Sequence, residues 1–326
     1  MKDGKADGVQ MNDVYCIHKK SFFSRTMSIK PFSELEGLVR LSRHRDLSLV
    51  HGLSPGCAER VYRRGADIGC RIYRCEGTER LMPRAREEIL RAEAGMRSIP
   101  SGTVWMTDRI EGAKGRMERI WWAPPGGIYA CLAISPVLLE GHWSLYSLGV
   151  GVAIAQVLRE WGVPATIRWI NDVLVSGKKA AGVLTETLRL DGYSYLLFGM
   201  GINVNVKAFP PYLPEAVSLF QESGIEWPIP ALASDIFARI GWIFGLLHEW
   251  EGHVLDKEDP GIENPVIAAW KKVTDSIGRD VAYGVDVERS PEIIARAVAL
   301  TRDGGLVLET KYGERFTVSS GEIRYC

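Results

Sequence analysis

The sequence lacks most of the features that mark a membrane, secreted or metal-bound protein. None of its apolar runs reads as long enough to span a bilayer. The best candidate, residues 145–158, is interrupted by Gly149, Gly151 and Gln156 and falls short of the roughly 20 residues a spanning helix needs. It reads as a buried core helix. The opening MKDGKADG has no apolar stretch of the secretion-signal kind, so the expected location is cytoplasmic. An excess of one charge is missing as well. Forty Lys and Arg face forty Asp and Glu, which gives no whole-chain attraction to nucleic acid or acidic lipid. The six cysteines form no CxxC pair and no zinc-ligand spacing, so reduced structural thiols are expected. The six histidines are scattered, and none suggests a Ser-His or Cys-His arrangement.

What is present is a chain of 326 residues, 46% of them hydrophobic, enough for two packed domains and a terminal segment. Residues 1–66 are the least readable. They carry twelve Lys or Arg against seven Asp or Glu, which without a recognition motif reads as a solvated surface rather than a DNA-binding unit. From residue 68 the pattern sharpens. Residues 70–74 read as a strand, and Pro83 opens a helix that Gly95 closes. Strands follow at 102–107 and 127–134, with a polar loop over 109–119 between them. A long buried helix is expected over 143–161.

Strands are then expected at 166–169, 173–176, 180–190 and 193–206, with turns at Gly177 and Asp191-Gly192. Helices follow over 231–250 and 265–274. The expected class is α+β, a mainly antiparallel sheet packed with helices. Alternating short strands from 276 to 326 suggest a small SH3-like β-barrel. The domain expectation is therefore an N-terminal extension of unknown role at 1–66, a catalytic domain at 67–275 and the barrel at 276–326.

Three segments carry candidate chemistry. Residues 114–129 place Lys114, Gly115, Arg116 and Arg119 in a glycine-containing cationic loop. Glycine lets backbone N–H groups approach an anion, and arginine grips phosphate or carboxylate in a fork. A plain basic surface loop fits equally. Residues 168–184 place Asn171 and Asp172 before Lys178 and Lys179, with Gly182 in the following apolar strand; a hairpin with solvated charges is the simpler reading. Residues 199–205, Gly-Met-Gly-Ile-Asn-Val-Asn, allow close backbone approach to a ligand or mark a bulge.

In combination the segments resemble those of biotin protein ligases. The first is similar to that family's Gly-Arg-Gly-Arg-x-Gly-Arg-x-Trp loop and the Ser-Pro-x-Gly-x-Leu-Tyr strand entry after it. The second is similar to Lys-Trp-Pro-Asn-Asp followed by Gly-Lys-Lys-x-Ala-Gly-Ile-Leu, and the third to Gly-x-Gly-Ile-Asn-x-Asn. The segment with Pro210 and Pro211 through Leu219, and the tail from Trp270 to Ile323, follow in the family's order. The likeness runs from about residue 68 to the end.

The resemblance implies an ATP-dependent ligase that makes biotinyl-adenylate and passes biotin to a lysine of a biotin carboxyl carrier domain, with ATP and biotin as substrates and Mg2+. It implies catalytic roles for Lys179, Arg116 and Asp172. Substrate binding would involve Thr78, Lys114, Gly115, Arg116, Arg119, Asn171, Gly182 and Asn203. Residues 204–219 match a segment that orders around adenine. No membrane or nucleic-acid partner is implied, and a homodimer is left open. Departures from the pattern are Ala113 and Glu118 for loop glycines, Ile110 for a glutamine, Ile170 for a proline and Glu79 for an asparagine. The competing readings are a lipoate ligase or cysteine-dependent octanoyl transferase, for which Cys131 lies in a strand that reads as buried, and a biotin sensor without catalysis. With no motif inside it, the extension is expected to be dispensable for adenylation.

Overall fold

The computed structural model describes residues 29–49, 55–65, 67–257 and 263–326. Its main sheet has eight strands: β1 (Lys30–Pro31), β2 (Ile72–Cys75), β3 (Thr103–Thr107), β4 (Ile128–Ile134), β5 (Ala165–Arg168), β6 (Asp172–Val175), β7 (Lys178–Arg189) and β8 (Ser194–Ile202). They lie in the order β1-β2-β3-β4-β8-β7-β6-β5. Only β2 and β3 run parallel; the other neighbours are antiparallel, as the hairpin signals require. The turn from β6 to β7 places Ser176 and Gly177 at φ 49° and 77°, the two positive values of a tight hairpin turn. Asp191-Gly192 closes the β7–β8 ladder, with Gly192 at φ 82°.

The helices are α1 (Ser33–Leu49), α2 (Pro55–Arg64), α3 (Leu81–Ala94), α4 (Ser144–Glu160), α5 (Leu219–Ser223), α6 (Ile229–Lys257) and α7 (Pro265–Val273). The sequence of α4 is apolar nearly all round, and it lies between the sheet and α6 with most of its residues buried. By length and composition α6 would also pass for a membrane span, which corrects the reading that no such run exists. Two thirds of its most apolar window (67%) is buried inside the protein, as a core helix requires. Helix α2 crosses α6 at close range. A Cβ at Gly245 would stand 1.8 Å from the Val61 carbonyl oxygen, and one at Gly65 would stand 1.9 Å from that of Gly241. No larger residue fits at this crossing.

Residues 1–28, including Cys16, lie outside the described residues. From residue 29 onward the N-terminal segment is built into the helical layer. Leu35, Val39, Ala58 and Val61 are buried in it, Ser42 donates to Asp235 at 2.7 Å, and Glu36 accepts from the Ile72 N–H at 2.8 Å. On the opposite face of the sheet α3 packs Leu81, Met82, Ala85 and Ile89 against Trp105, Cys131 and Leu197.

A second sheet holds β9 (Asp280–Gly284), β10 (Ile293–Leu300), β11 (Leu306–Glu309), β12 (Arg315–Val318) and β13 (Glu322–Tyr325), in the order β12-β11-β10-β9-β13. All its pairings are antiparallel. It is an open sheet with β12 and β13 at its edges, not a closed barrel. Hydrogen bonds that fasten it to the first unit include Trp169 Nε1 to the Gly304 carbonyl at 3.1 Å, Ser144 to the Asp303 carbonyl at 3.0 Å, and Tyr325 to Asp275 at 2.6 Å.

Candidate active site

The floor of the site is a pair of glycines. Gly182 of β7 and Gly201 of β8 are partners in the ladder, so the sheet has no side chains at that point. The Trp121 indole fills the space above them. A Cβ on Gly201 would stand 2.6 Å from Trp121, and one on Gly182 would meet Lys179 Cε at 2.9 Å. Gly199, two residues before Gly201 and on the same face, meets Met82 of α3 instead. The site therefore opens on the α3 side of the sheet. Lys179 Nζ stands 5.5 Å from the centre of the Trp121 ring. The Trp121 indole N–H is buried without a partner, so a donor stands ready for an acceptor at the floor. Beside it lies an open cavity of about 540 Å3, lined by Arg109, Ile110, Lys114, Trp121, Trp122 and Tyr212 among others.

The cationic loop forms an irregular hairpin whose base, at Ala113, Lys114 and Ile120, lines this cavity. Lys114 and Ile120 pair, Gly115 N–H donates to the Arg119 carbonyl at 2.8 Å, and Trp121 N–H donates to the Ala113 carbonyl at 3.0 Å. The tip turns through Met117 and Glu118 at φ 52° and 57°. Both arginines reach away from Lys179 to the second sheet. Arg116 donates to the Gly321 carbonyl at 2.6 Å, and Arg119 forms an ion pair with Glu322, with Asp286 at 3.9 Å. Glu118 points outward and lies 3.6 Å from Arg80. Thr78 is stitched to the loop's entry, its N–H donating to the Arg109 carbonyl and its carbonyl accepting from Glu111.

At the other end of the site the β5–β6 corner sets Asp172 between two cations. Lys179 Nζ is 2.5 Å from its carboxylate and Arg168 3.0 Å. Burial pushes the Asp172 carboxyl up, but the charges and hydrogen bonds of Lys179 and Arg168 outweigh it and hold it below its ordinary value. The backbone of Lys179 is clasped in turn. Its N–H donates to the Glu215 carbonyl at 2.7 Å, and its carbonyl accepts from Val217 at 3.1 Å. Asn203 is buried, donates to the Val217 carbonyl at 3.1 Å, and leaves its own side-chain oxygen unpaired.

A sequence profile of the biotin/lipoate A/B protein ligase family matches residues 81–205, the stretch that supplies this floor, the loop and the Asp172–Lys179 pair. The bifunctional ligase/repressor BirA of Bacillus spizizenii is 29% identical over 227 residues, a match that covers 68% of this chain and 66% of that protein. A biotin–[acetyl-CoA-carboxylase] ligase of Paracoccus denitrificans is 32% identical over 132 residues, 39% of this chain and 54% of that one. In fold, the chain is similar to a biotin protein ligase from Aquifex aeolicus solved with biotin and ATP, with a TM-score of 0.61 and 24% identity, covering 78% of this chain and 98% of that one.

For the residues singled out in the sequence the site holds a mixed outcome. The structure brings Lys179, Asp172, Gly182 and Asn203 into one contact network, and places Lys114 in the cavity wall with Gly115 next to it. Arg116 and Arg119 are on the loop as expected, but their guanidinium groups engage the second sheet. Asn171 turns toward α4. Two residues were missed as elements of the site. Trp121 and Gly201 stood inside the motifs, yet only the ladder register shows that one lies on the other. Cys131 is buried in β4 and burial pushes its thiol far up, so it is no nucleophile. Among the described residues no group of three His, Cys, Asp or Glu is placed to hold a metal.

Proposed function

We propose that the protein activates biotin with ATP to biotinyl-adenylate and transfers the biotin to a lysine of a biotin carboxyl carrier domain. The observation that carries this reading is Lys179 held over the Gly182–Gly201 floor beside Trp121, which also lines the cavity bordered by Lys114 of the cationic loop.

The chemistry needs that arrangement. In the first step a biotin carboxylate oxygen attacks the α-phosphorus of ATP and pyrophosphate leaves. The carboxylate and phosphate repel each other, and negative charge gathers in the transition state. Lys179 offsets that charge, and ionised Asp172 holds the lysine in place. Lys114 adds positive charge from the cavity wall. Arg116 and Arg119 would join only after leaving the second sheet. The loop that borders the cavity keeps water from the mixed anhydride. In the second step the neutral amine of the acceptor lysine attacks the acyl carbon, the C–O bond to phosphate breaks, AMP leaves, and the surplus proton passes to solvent. Asp172 suits orienting that amine better than deprotonating it. A carboxylate held low by two cations is a weak base toward an amine whose ordinary pKa is about 10.4. Among the described residues the carboxylate that Lys179 meets, that of Asp172, is already paired with both Lys179 and Arg168 and offers no acidic cage for magnesium. The ion fits better as a companion of the ATP phosphates.

The test is to incubate the full chain with biotin, ATP, magnesium and a biotin carrier domain and to blot for protein-bound biotin, while following pyrophosphate release without acceptor. Biotin on the carrier supports the reading. Pyrophosphate release without transfer would point to a sensor. Neither product would sink the reading.

A further inference from the structure

The β5–β6 corner rests on α4 through contacts that the reaction scheme above does not use. Residues 147 and 151 lie one turn apart on a single face of α4. Ser147 supplies a hydroxyl there. Asn171 Nδ2 donates to Ser147 Oγ at 2.6 Å, and Thr185 Oγ1 of β7 donates to the same oxygen at 3.0 Å. Gly151 supplies clearance, since a Cβ there would press on Asn171 Cα and Cβ at 3.2 Å. The Asn171 side chain is thus seated between helix and sheet by its N–H2 end. Its Oδ1 has no protein partner among the described residues.

An asparagine amide has two faces of opposite character, a donor and an acceptor. Which one meets a ligand is set by what the other end binds. With Nδ2 committed to Ser147, the corner offers the carbonyl oxygen of Asn171 next in the chain to the carboxylate of Asp172. Two acceptors side by side, the amide oxygen and the carboxylate, suit an amine or ammonium donor. A flipped amide would present N–H groups to that amine instead.

We propose that Ser147, backed by Thr185 and given room by Gly151, is a positioning residue that fixes the orientation of the Asn171 amide, so that its oxygen receives the acceptor amine in the transfer step. This rests on the biotin-transfer reading for its consequence, though not for the orientation itself. It predicts a split between the two half-reactions, because adenylation brings no amine to the corner.

The test uses the full chain with Ser147→Ala, Ser147→Thr and Thr185→Val. Ser147 borders a cavity of about 240 Å3, which gives the extra methyl of threonine space. With 15N-labelled asparagine, the Asn171 side-chain amide is identified by its loss in Asn171→Asp. It should exchange slowly with water in the parent and in Ser147→Thr, and quickly in Ser147→Ala. Transfer from preformed adenylate in a single turnover should slow about tenfold in Ser147→Ala, the scale of one lost hydrogen bond. It should slow less in Thr185→Val and recover in Ser147→Thr, while pyrophosphate release stays within about twofold. An unchanged Asn171 amide in Ser147→Ala overturns the proposal. So does an equal fall in both half-reactions, which would indicate a structural role alone. If the parent makes no adenylate, the biotin reading fails, and the amide measurement still decides the orientation.

Discussion

At the scale of the single residue, Lys179 carries the sharpest expectation. Lys179→Ala removes the cation over the glycine floor but leaves Asp172 with Arg168 at 3.0 Å, so the fold should survive. Adenylate formation should fall by about 100-fold or more, the usual cost of a lost transition-state donor. Pyrophosphate release near the parent rate from a folded variant would remove Lys179 from the mechanism. Glu118 is a different case. It takes the place of a loop glycine, and the structure shows the strain that substitution carries: φ is 57° and the side chain is 73% exposed. A non-glycine residue in that region costs about 1 kcal/mol, and an exposed ion pair with Arg80 returns less than that. Glu118→Gly is therefore expected to keep or raise the melting temperature and to release biotinyl-adenylate no faster than the parent at low salt. Quicker release would mean that the Arg80 contact holds the loop closed.

At the scale of the element, a buried network ties three helices together. Tyr146 of α4 donates to His248 Nε2 of α6 at 2.6 Å, and His248 Nδ1 donates to the Arg64 carbonyl of α2. Tyr146 also accepts from Val137 and Leu138 N–H at 3.1 and 3.2 Å. Both histidine nitrogens are used by the neutral ring, and burial pushes its pKa below the ordinary 6.5. The folded state then binds the proton less readily than the unfolded chain. Stability contributed by neutral His248 is full above about pH 6.5 and is lost as pH falls from there toward the depressed folded value. Melting temperatures of the parent should drop between pH 7 and pH 5, and His248→Gln should lower the pH 7 value while flattening that slope. An equal slope in both proteins would assign the pH dependence elsewhere.

The same scale shows what the sequence disclosed. Strands such as β7 and β8 and the turns at Gly177 and Asp191-Gly192 were legible, because local periodicity and positive-φ residues determine them. The all-apolar α4 was legible for the same reason. Helices α1 and α2 were not, since their few buried residues, among them Leu35, Val39 and Val61, gain meaning only against α6. The site was legible as a set of residues but not as an arrangement. By spacing alone Lys179, Asp172 and Gly182 read as a hairpin with solvated charges, and the motif resemblance singles them out. The partners of Arg116 and Arg119 lie about 200 positions downstream, at Gly321 and Glu322, where no local pattern links them. Ser147 reads in the sequence as one more helix residue, because its bond to Asn171 spans 24 positions.

At the scale of the whole molecule, the described residues before residue 67, 29–49 and 55–65, contribute to the core. Deleting residues 1–60 would remove Leu35, Val39 and Ala58 from the helical layer, break the Ser42–Asp235 bond and leave α6 uncovered. Each buried aliphatic side chain contributes about 1.5–3 kcal/mol. A drop in melting temperature of about 10 °C or more is expected for a chain of this size, measured by calorimetry on the purified truncation. An unshifted transition would show that α1 and α2 do not share in the cooperative core.

The ion pair between Arg119 and Glu322 has a consequence for the order in which the molecule assembles. The two residues are 203 positions apart, so their meeting must wait until both sheets exist and have docked, and closing so long a loop is entropically slow to be repaid. The β7–β8 hairpin, whose contacts are local, has no such delay. In refolding from denaturant, the main-sheet signal should therefore return before the tip of the loop is fastened. Protease cleavage near Met117 should stay fast through the first phase and slow only in the last. Glu322→Gln should prolong that vulnerable interval and leave the first phase unchanged. Protection of the loop in step with the main sheet would show that the tip sets locally and needs no distant partner.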